Sequence, residues 1–243
     1  MWPERPSGPL SVDVEVRLER LTWPEVERRL EAGWDTVLVP LGATEQHGPH
    51  LPLGTDSLIG AELAARAARR LGRALVAPVL PLGASAEHRD FPGTLSLGHE
   101  TVAAVVTDLC AWLHDRGFRQ VVVFSAHGGN RRALELAGAI VRPETIVLLD
   151  LPHVPVGAGD AHAGLDETSM LLALAPEAVR PATSAGYTGQ LDARAWAVLT
   201  TAGVRALAPE GVLGDPSGAS AELGEALLEA LATAIAEAVR ERS

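Results

Sequence analysis

Gln120–Ser125, QVVVFS, is the stretch that decides how this chain folds. Its β-branched and aromatic side chains run without a polar break, the pattern of a strand buried on both faces rather than one that alternates toward solvent. A second run of this kind, Thr36–Leu41 (TVLVPL), stops at Gly42, and a third, Thr145–Leu151 (TIVLLDL), follows further on. Between these runs the period lengthens to that of helices. Ser57–Leu71 is rich in Ala and Arg and ends at Gly72, His99–Arg116 ends at Gly117, and Arg131–Val141 follows QVVVFS almost directly. Ala74–Leu82 is apolar but carries Pro78 and Pro81, which suit an irregular or edge segment. Glu167–Leu174 reads as a short helix and Ser220–Arg240 as a long amphipathic one. Continuous apolar strands separated by helices predict an α/β chain with a parallel sheet covered on both faces. Ligands of such sheets gather outside the carboxyl ends of the strands, so the segments just after TVLVPL and QVVVFS are where chemistry is expected.

Composition narrows the chemistry further. The 243 residues contain no Lys, so all 20 basic side chains are Arg. Schiff-base catalysis and P-loop phosphate binding, both of which need a lysine, are excluded. With 31 acidic residues the net charge is −11, which argues against a nucleic-acid partner. The single cysteine, Cys110, lies in an apolar helical pattern and reads as inert core; no internal disulfide or zinc-thiolate cluster is available. No apolar run approaches the roughly 18 residues of a membrane span. The first ten residues, MWPERPSGPL, lack the apolar centre of a signal peptide. The expectation is a cytoplasmic protein with a flexible segment 1–10 and one domain over 11–243, because no linker or repeat interrupts the pattern.

Three clusters carry the candidate chemistry. TEQHGPHLPLGTD, Thr44 to Asp56, follows the first strand. In extended chain Glu45 and His47 point to the same side, and the Gly/Pro-rich turn can return Asp56 to them. Carboxylate oxygen with imidazole nitrogen suits Zn²⁺, Mn²⁺ or Fe²⁺; the plainer reading is a polar loop with Asp56 capping a helix. His50 reads as support for a ligand rather than a ligand. SAHGGN, Ser125 to Asn130, follows the best strand: Gly128 and Gly129 allow the backbone close to a ligand, and Asn130 either caps the helix at Arg131 or takes part in catalysis. GDAHAGLDETS, Gly159 to Ser169, contains Asp166 as a helix cap, whereas His162 and Glu167 are not explained by capping. An apolar helix follows, so Glu167 would be a buried carboxylate in need of a partner, which a metal would supply. Two further stretches, GASAEHRDFPGTLSLG (Gly83–Gly98, with Glu87 and His88) and GVLGDPSGA (Gly211–Ala219), read respectively as site lining or a structural turn, and as a structural turn. Trp2, Trp23, Trp34, Trp112 and Trp196 are packing residues by default, with Trp196, near Tyr187, open to lining a pocket.

In this order, EQHGPHLPLGTD, EHRDFPGTLSL, HGGN and DAHAGLDETS resemble the creatininase (creatinine amidohydrolase-like) family, from about Leu38 to Ala219. GDAHAGLDETS and GVLGDPSGA are most similar to the branch of that family that trims the mycofactocin precursor, a small ribosomal peptide, after its C-terminal Val-Tyr has been modified. The resemblance implies a three-layer α/β/α sandwich, a homo-hexamer, and two divalent ions per chain (Zn²⁺, Fe²⁺ or Mn²⁺). It makes Glu45, His47, Asp56 and His127 ligands, with Asp56 bridging, and sets His162 beside the substrate. Creatininase itself has a glutamate two residues after the equivalent of His127, and that glutamate binds the second metal; here the position is Gly129, and Glu167 is the candidate replacement. The implied chemistry is metal-assisted attack of water on an amide, with His162 or a carboxylate such as Glu167 protonating the leaving nitrogen. The substrate expected is the modified precursor peptide. The alternatives are a small cyclic amide or formamide, or a metal-binding protein without turnover.

Overall fold

A computed structural model describes residues 14–141, 146–149, 156–157, 160–181 and 185–242. The expected flexible segment 1–10 lies outside the described residues. Among the described residues the sheet has four parallel strands, β1 (Thr36–Leu41), β2 (Ala74–Val76), β3 (Gln120–Ser125) and β4 (Ile146–Leu149), in the order β2-β1-β3-β4. Both long strands fall where their apolar runs predict. Of Ala74–Leu82 only the first three residues pair as strand, because the prolines that follow break the ladder.

Apolar residues on both sides of the strands explain the three layers. Leu38, Val122 and Phe124 pack on one face against α2 (Thr55–Leu71) and α8 (Ala221–Arg240), with Leu171 of α5 (Leu165–Leu174) in the same core. Val37, Val39, Val121 and Val123 pack on the other against α3 (His99–Asp115) and α4 (Arg131–Gly138). Each such side chain, fully buried, contributes roughly 1.5–3 kcal/mol relative to an exposed one. Cys110 of α3 belongs to this second core, and burial pushes its thiol up to about 11, so it is unreactive packing as expected. No helix among the described residues is long and apolar enough to cross a membrane.

Three helices escape the apolar pattern. The first, α1 (Trp23–Glu31), is announced instead by its ends: Thr22 and Glu25 form a reciprocal capping box, with proline in the first turn. The others, α6 (Ala193–Ala202) and α7 (Val204–Leu207), pack with Leu213 and Phe91 in a small satellite cluster apart from the two main cores. Trp23 and Trp112 are 76% and 62% exposed, which corrects their reading as packing residues.

Strands β1 and β3 are neighbours in register from Thr36↔Gln120 to Leu41↔Ser125, so their carboxyl ends finish level. From there the chain leaves in opposite directions, through α2 to β2 and through α4 to β4. The gap between β1 and β3 is therefore the point where a doubly wound sheet opens a crevice. Asn130 holds that crevice together. It is buried and makes no capping bond to α4, so of its two readings the helix cap is not met. Its Oδ1 accepts from the Ala84 N–H at 2.9 Å, and its Nδ2 donates to the Gly42 carbonyl and to Ser125 Oγ, both at 3.0 Å. Asp166 is not a cap either; it lies inside α5, and Asp160 accepts from the N–H groups of Leu165 and Asp166. Asn130→Ala leaves a buried N–H and a buried carbonyl unpaired, at roughly 1–3 kcal/mol each. A fall of about 2–6 kcal/mol in unfolding free energy is expected by denaturant titration with the slope unchanged.

Candidate metal centre

Two loops at the crevice deliver most of the expected side chains. After β1 the chain crosses to Glu45, whose N–H donates to the Leu53 carbonyl at 2.9 Å, and to His47, which pairs with Leu51 across a narrow turn. The turn brings Asp56 back in the first turn of α2, buried and within the helix rather than capping it. After β3, His127 enters from the neighbouring strand, and α5 contributes Glu167.

The sites of contact are close. His47 Nε2 lies 3.2 Å from Asp56 Oδ1 and 3.7 Å from Glu167 Oε2. His127 Nε2 lies 3.2 Å from Glu45 Oε2, and His127 Nδ1 lies 3.7 Å from Asp56 Oδ2. Three sets of donor atoms each fall within 4.8 Å of one another: Glu45, Asp56 and His127; His47, His162 and Glu167; and Glu45, His88 and His162. Each of His47 and His127 places one ring nitrogen on a backbone carbonyl, Glu45 at 3.2 Å and Ala84 at 2.9 Å respectively. The opposite nitrogen of each then faces a carboxylate, the usual arrangement of a metal-ligating histidine.

The electrostatics call for added positive charge. Glu45 is 0% exposed, and among the described residues neither of its carboxylate oxygens nor Asp56 Oδ2 has a hydrogen-bond partner. An ionised carboxylate buried in this way costs several kcal/mol unless a cation compensates it. Neighbouring histidines answer that charge by holding protons. Burial opposes a charge on His127, but Glu45 and Asp56 outweigh it and push its pKa up to about 10. His47 is raised well above its ordinary value, against its burial, by Asp56 and Glu167. Glu167 in turn falls to about 2, because His47 overcomes the effect of burial. A divalent ion taking the place of those protons would supply the same positive charge to the carboxylates and bind the neutral imidazoles.

Other expected residues are brought in at different distances. His162 stacks obliquely on His47 at 4.3 Å and on His88 at 4.6 Å between ring centroids. Ala163, which follows it, has φ +53°, the one positive value outside glycine among the described residues. That strained residue donates its N–H to the Glu167 carboxylate, so the turn aims His162 and Glu167 together. His50 is buried behind the centre, its Nε2 2.9 Å from Thr168 Oγ1, and ties the first loop to α5. His88 Nε2 lies 3.2 Å from Glu45 Oε1, and burial brings its pKa down to about 3. Glu87 borders the cavity, 3.8 Å from His127 Nε2. A side chain at Gly129 would start 2.3 Å from His127 Nε2, 2.4 Å from the Ala84 carbonyl and 2.5 Å from Glu87 Oε1. No residue but glycine fits there.

A cavity of about 530 Å³ opens over these groups. Glu45, His88, His127 and His162 border it, and Leu191, Trp196, Leu199, Val204 and Leu213 give it an apolar wall. Leu213 comes from the GVLGDPSGA segment, which is therefore more than a turn: its N–H donates to the His162 carbonyl at 2.9 Å. Gln46 is the residue that sequence reasoning misses. Reading an extended chain by alternate positions selects Glu45 and His47 and discards the residue between them, yet Gln46 is buried and contacts both His88 and His162. An amide enclosed by an E-x-H pair was the available signal.

Comparison with known proteins agrees with this geometry. A family model described as creatinine amidohydrolase matches residues 19–239. The mycofactocin precursor peptide peptidase of Mycolicibacterium smegmatis is 37% identical over 221 residues, 88% of this chain and 87% of the relative. The creatinine amidohydrolase of Pseudomonas putida is 32% identical over 257 residues, covering 91% and 95%. Solved structures of creatininase in a manganese form and of a variant in a zinc–zinc form superpose with TM-scores of 0.72 and 0.73 at 31% and 30% identity. Each of the two covers 94% of this chain and 98% of its own. A match that takes in the whole crevice and both strands beside it makes this chain a member of the creatininase family, a hydrolase of C–N (amide) bonds.

Proposed function

We propose that this chain is a dinuclear metal-dependent peptidase that releases the modified C-terminal Val-Tyr dipeptide from the mycofactocin precursor peptide. The observation that carries the metal half of the reading is Glu45, a carboxylate shut off from water with both oxygens unpartnered and aimed at histidines. Glu45 and His127 would hold one ion, His47 and Glu167 the other, with Asp56 reaching both. The paired distances on either side of Asp56 support this division, and the approach of Glu167 to His47 supports it as the stand-in for the carboxylate absent at Gly129. Zn²⁺, Fe²⁺ and Mn²⁺ all suit the donor set. Bound there, the ions would polarise the amide carbonyl and lower the pKa of water.

The chain's own groups would do the rest. His162, set against Glu45 and the cavity, is placed to carry a proton to the leaving nitrogen, and Glu167 supports it through the Ala163 turn. The substrate half of the reading rests on the relatives and on the shape of the cavity. A small cyclic amide, the substrate class named for the Pseudomonas putida relative, would leave much of 530 Å³ empty, whereas a peptide end with bulky apolar side chains would cover the wall that carries Trp196. Assembly into a homo-hexamer belongs to the same reading; exposed Trp23 and Trp112 are surfaces that neighbouring copies would cover.

Elemental analysis of the loaded protein should give two divalent ions per chain, and chelation should abolish turnover. Glu45→Ala and His127→Ala should lose metal and activity together; full metal content with full turnover in either variant removes that residue from the centre. Product mass spectrometry should show cleavage of a peptide ending in decarboxylated Val-Tyr. Turnover of creatinine or a formamide with no cleavage of the peptide rejects the substrate assignment. Trp196→Ala removes roughly 1 kcal/mol of apolar contact. A rise in KM of about fivefold with metal content unchanged is the expected result.

A further inference from the structure

Gln46 is 4% exposed and lies between two metal-centre residues, but its own side chain turns the other way, into a set of hydrogen bonds that can be solved completely. The backbone fixes which end of the amide is which. Oε1 accepts from the Gly48 N–H at 2.9 Å, and Nε2 donates to the Gly211 carbonyl at 3.0 Å. Gly211 has φ +79°, and a side chain there would start 1.9 Å from Gln46 Oε1, so the amide is enclosed. One amide hydrogen remains, with two nitrogens in reach: His88 Nδ1 at 2.7 Å and His162 Nε2 at 2.9 Å. His162 Nε2 also lies 2.8 Å from the backbone carbonyl of Gln46, which can only accept. That nitrogen must therefore carry a hydrogen, and it cannot receive the amide's. The remaining amide hydrogen goes to His88 Nδ1.

We infer that Gln46 is a positioning residue that sets the tautomers of two histidines at once, so that His88 carries its hydrogen on Nε2, the nitrogen nearer Glu45, while His162 leaves Nδ1 bare. His88 Nδ1 accepts, so its hydrogen sits on Nε2, 3.2 Å from Glu45 Oε1. His162 holds its hydrogen on Nε2, so Nδ1, 3.7 Å from Glu45 Oε1, is the bare nitrogen. The order of events in amide hydrolysis follows. A bare nitrogen must take a proton before it can give one. As the oxygen of the attacking water bonds to the carbonyl carbon, His162 Nδ1 accepts the water's proton. As the C–N bond breaks, the same proton passes to the leaving nitrogen, and His162 returns to its starting tautomer. Only this ordering of steps rests on the hydrolytic reading given above; the tautomers do not.

The test is a ¹H–¹⁵N correlation spectrum of the histidine rings in the zinc-loaded protein, with His88 and His162 identified by the signals lost in His88→Gln and His162→Gln. Both rings should show hydrogen on Nε2 and none on Nδ1. Hydrogen on Nδ1 of either ring in the unsubstituted protein overturns the inference, and this holds even if every Gln46 variant fails to fold. Gln46→Glu replaces the donor with an acceptor and should move the His88 hydrogen to Nδ1. Turnover of whichever amide the protein cleaves should fall about 10–100-fold, with two ions retained and KM within about threefold. An unchanged His88 spectrum in Gln46→Glu also overturns it. Predicted tautomers in a protein that ignores the precursor peptide would reject the peptide substrate and leave Gln46 in its role.

Discussion

A negative charge without water governs the centre of this molecule. Glu45 is sealed at the level ends of β1 and β3, with His88, His127 and His162 around its two oxygens. Each histidine comes from a different stretch of chain, and each must be held by something else: His127 by the Ala84 carbonyl, His88 by Gln46, His162 by the backbone of Gln46. The loops that carry these supports are locked to one another by Asn130. Placing one carboxylate where it cannot ionise unaided thus dictates the conformation of four loops, and the same arrangement that costs folding energy creates a strong site for cations.

How much of this could be read beforehand depended on the type of signal. QVVVFS and TVLVPL became the central strands because they are apolar on both faces, and a segment buried on both sides has no alternation to misread. Short helices with little apolar stripe, α6 and α7 above all, were invisible because they pack on each other and on a loop rather than on the sheet. In the centre, residues whose chemistry is declared by type (Glu45, His47, Asp56, His127, His162, Glu167) do converge. Residues that act by hydrogen bonding were harder to place, because an amide or a short carboxylate near a helix start reads as a cap. Asn130 and Asp166 both carried that signature, and neither caps; Asp160, six residues before Asp166, does. Distinguishing them requires knowing what lies opposite in space.

Gly129 shows how a departure from a family pattern is absorbed. At Gly129 the Ala84 carbonyl and Glu87 Oε1 leave no room for a side chain, and Glu87 stands at the rim, 3.8 Å from His127 Nε2. Glu87, from another loop, thus stands near His127, while Glu167 approaches His47 from α5.

The satellite cluster of Leu199, Val204, Ala208 and Leu213 shares no residue with the two cores that hold the sheet. The apolar wall above the centre is built on it, and Trp196 stands on the same helix at 54% exposure. The side chains of that wall thus lie outside the two cores that hold the sheet. A family organised in this way can acquire new substrates by trading residues in one peripheral module, at little risk to the scaffold, while a single strand-like bridge between Leu213 and His162 keeps the module aligned with the reacting groups.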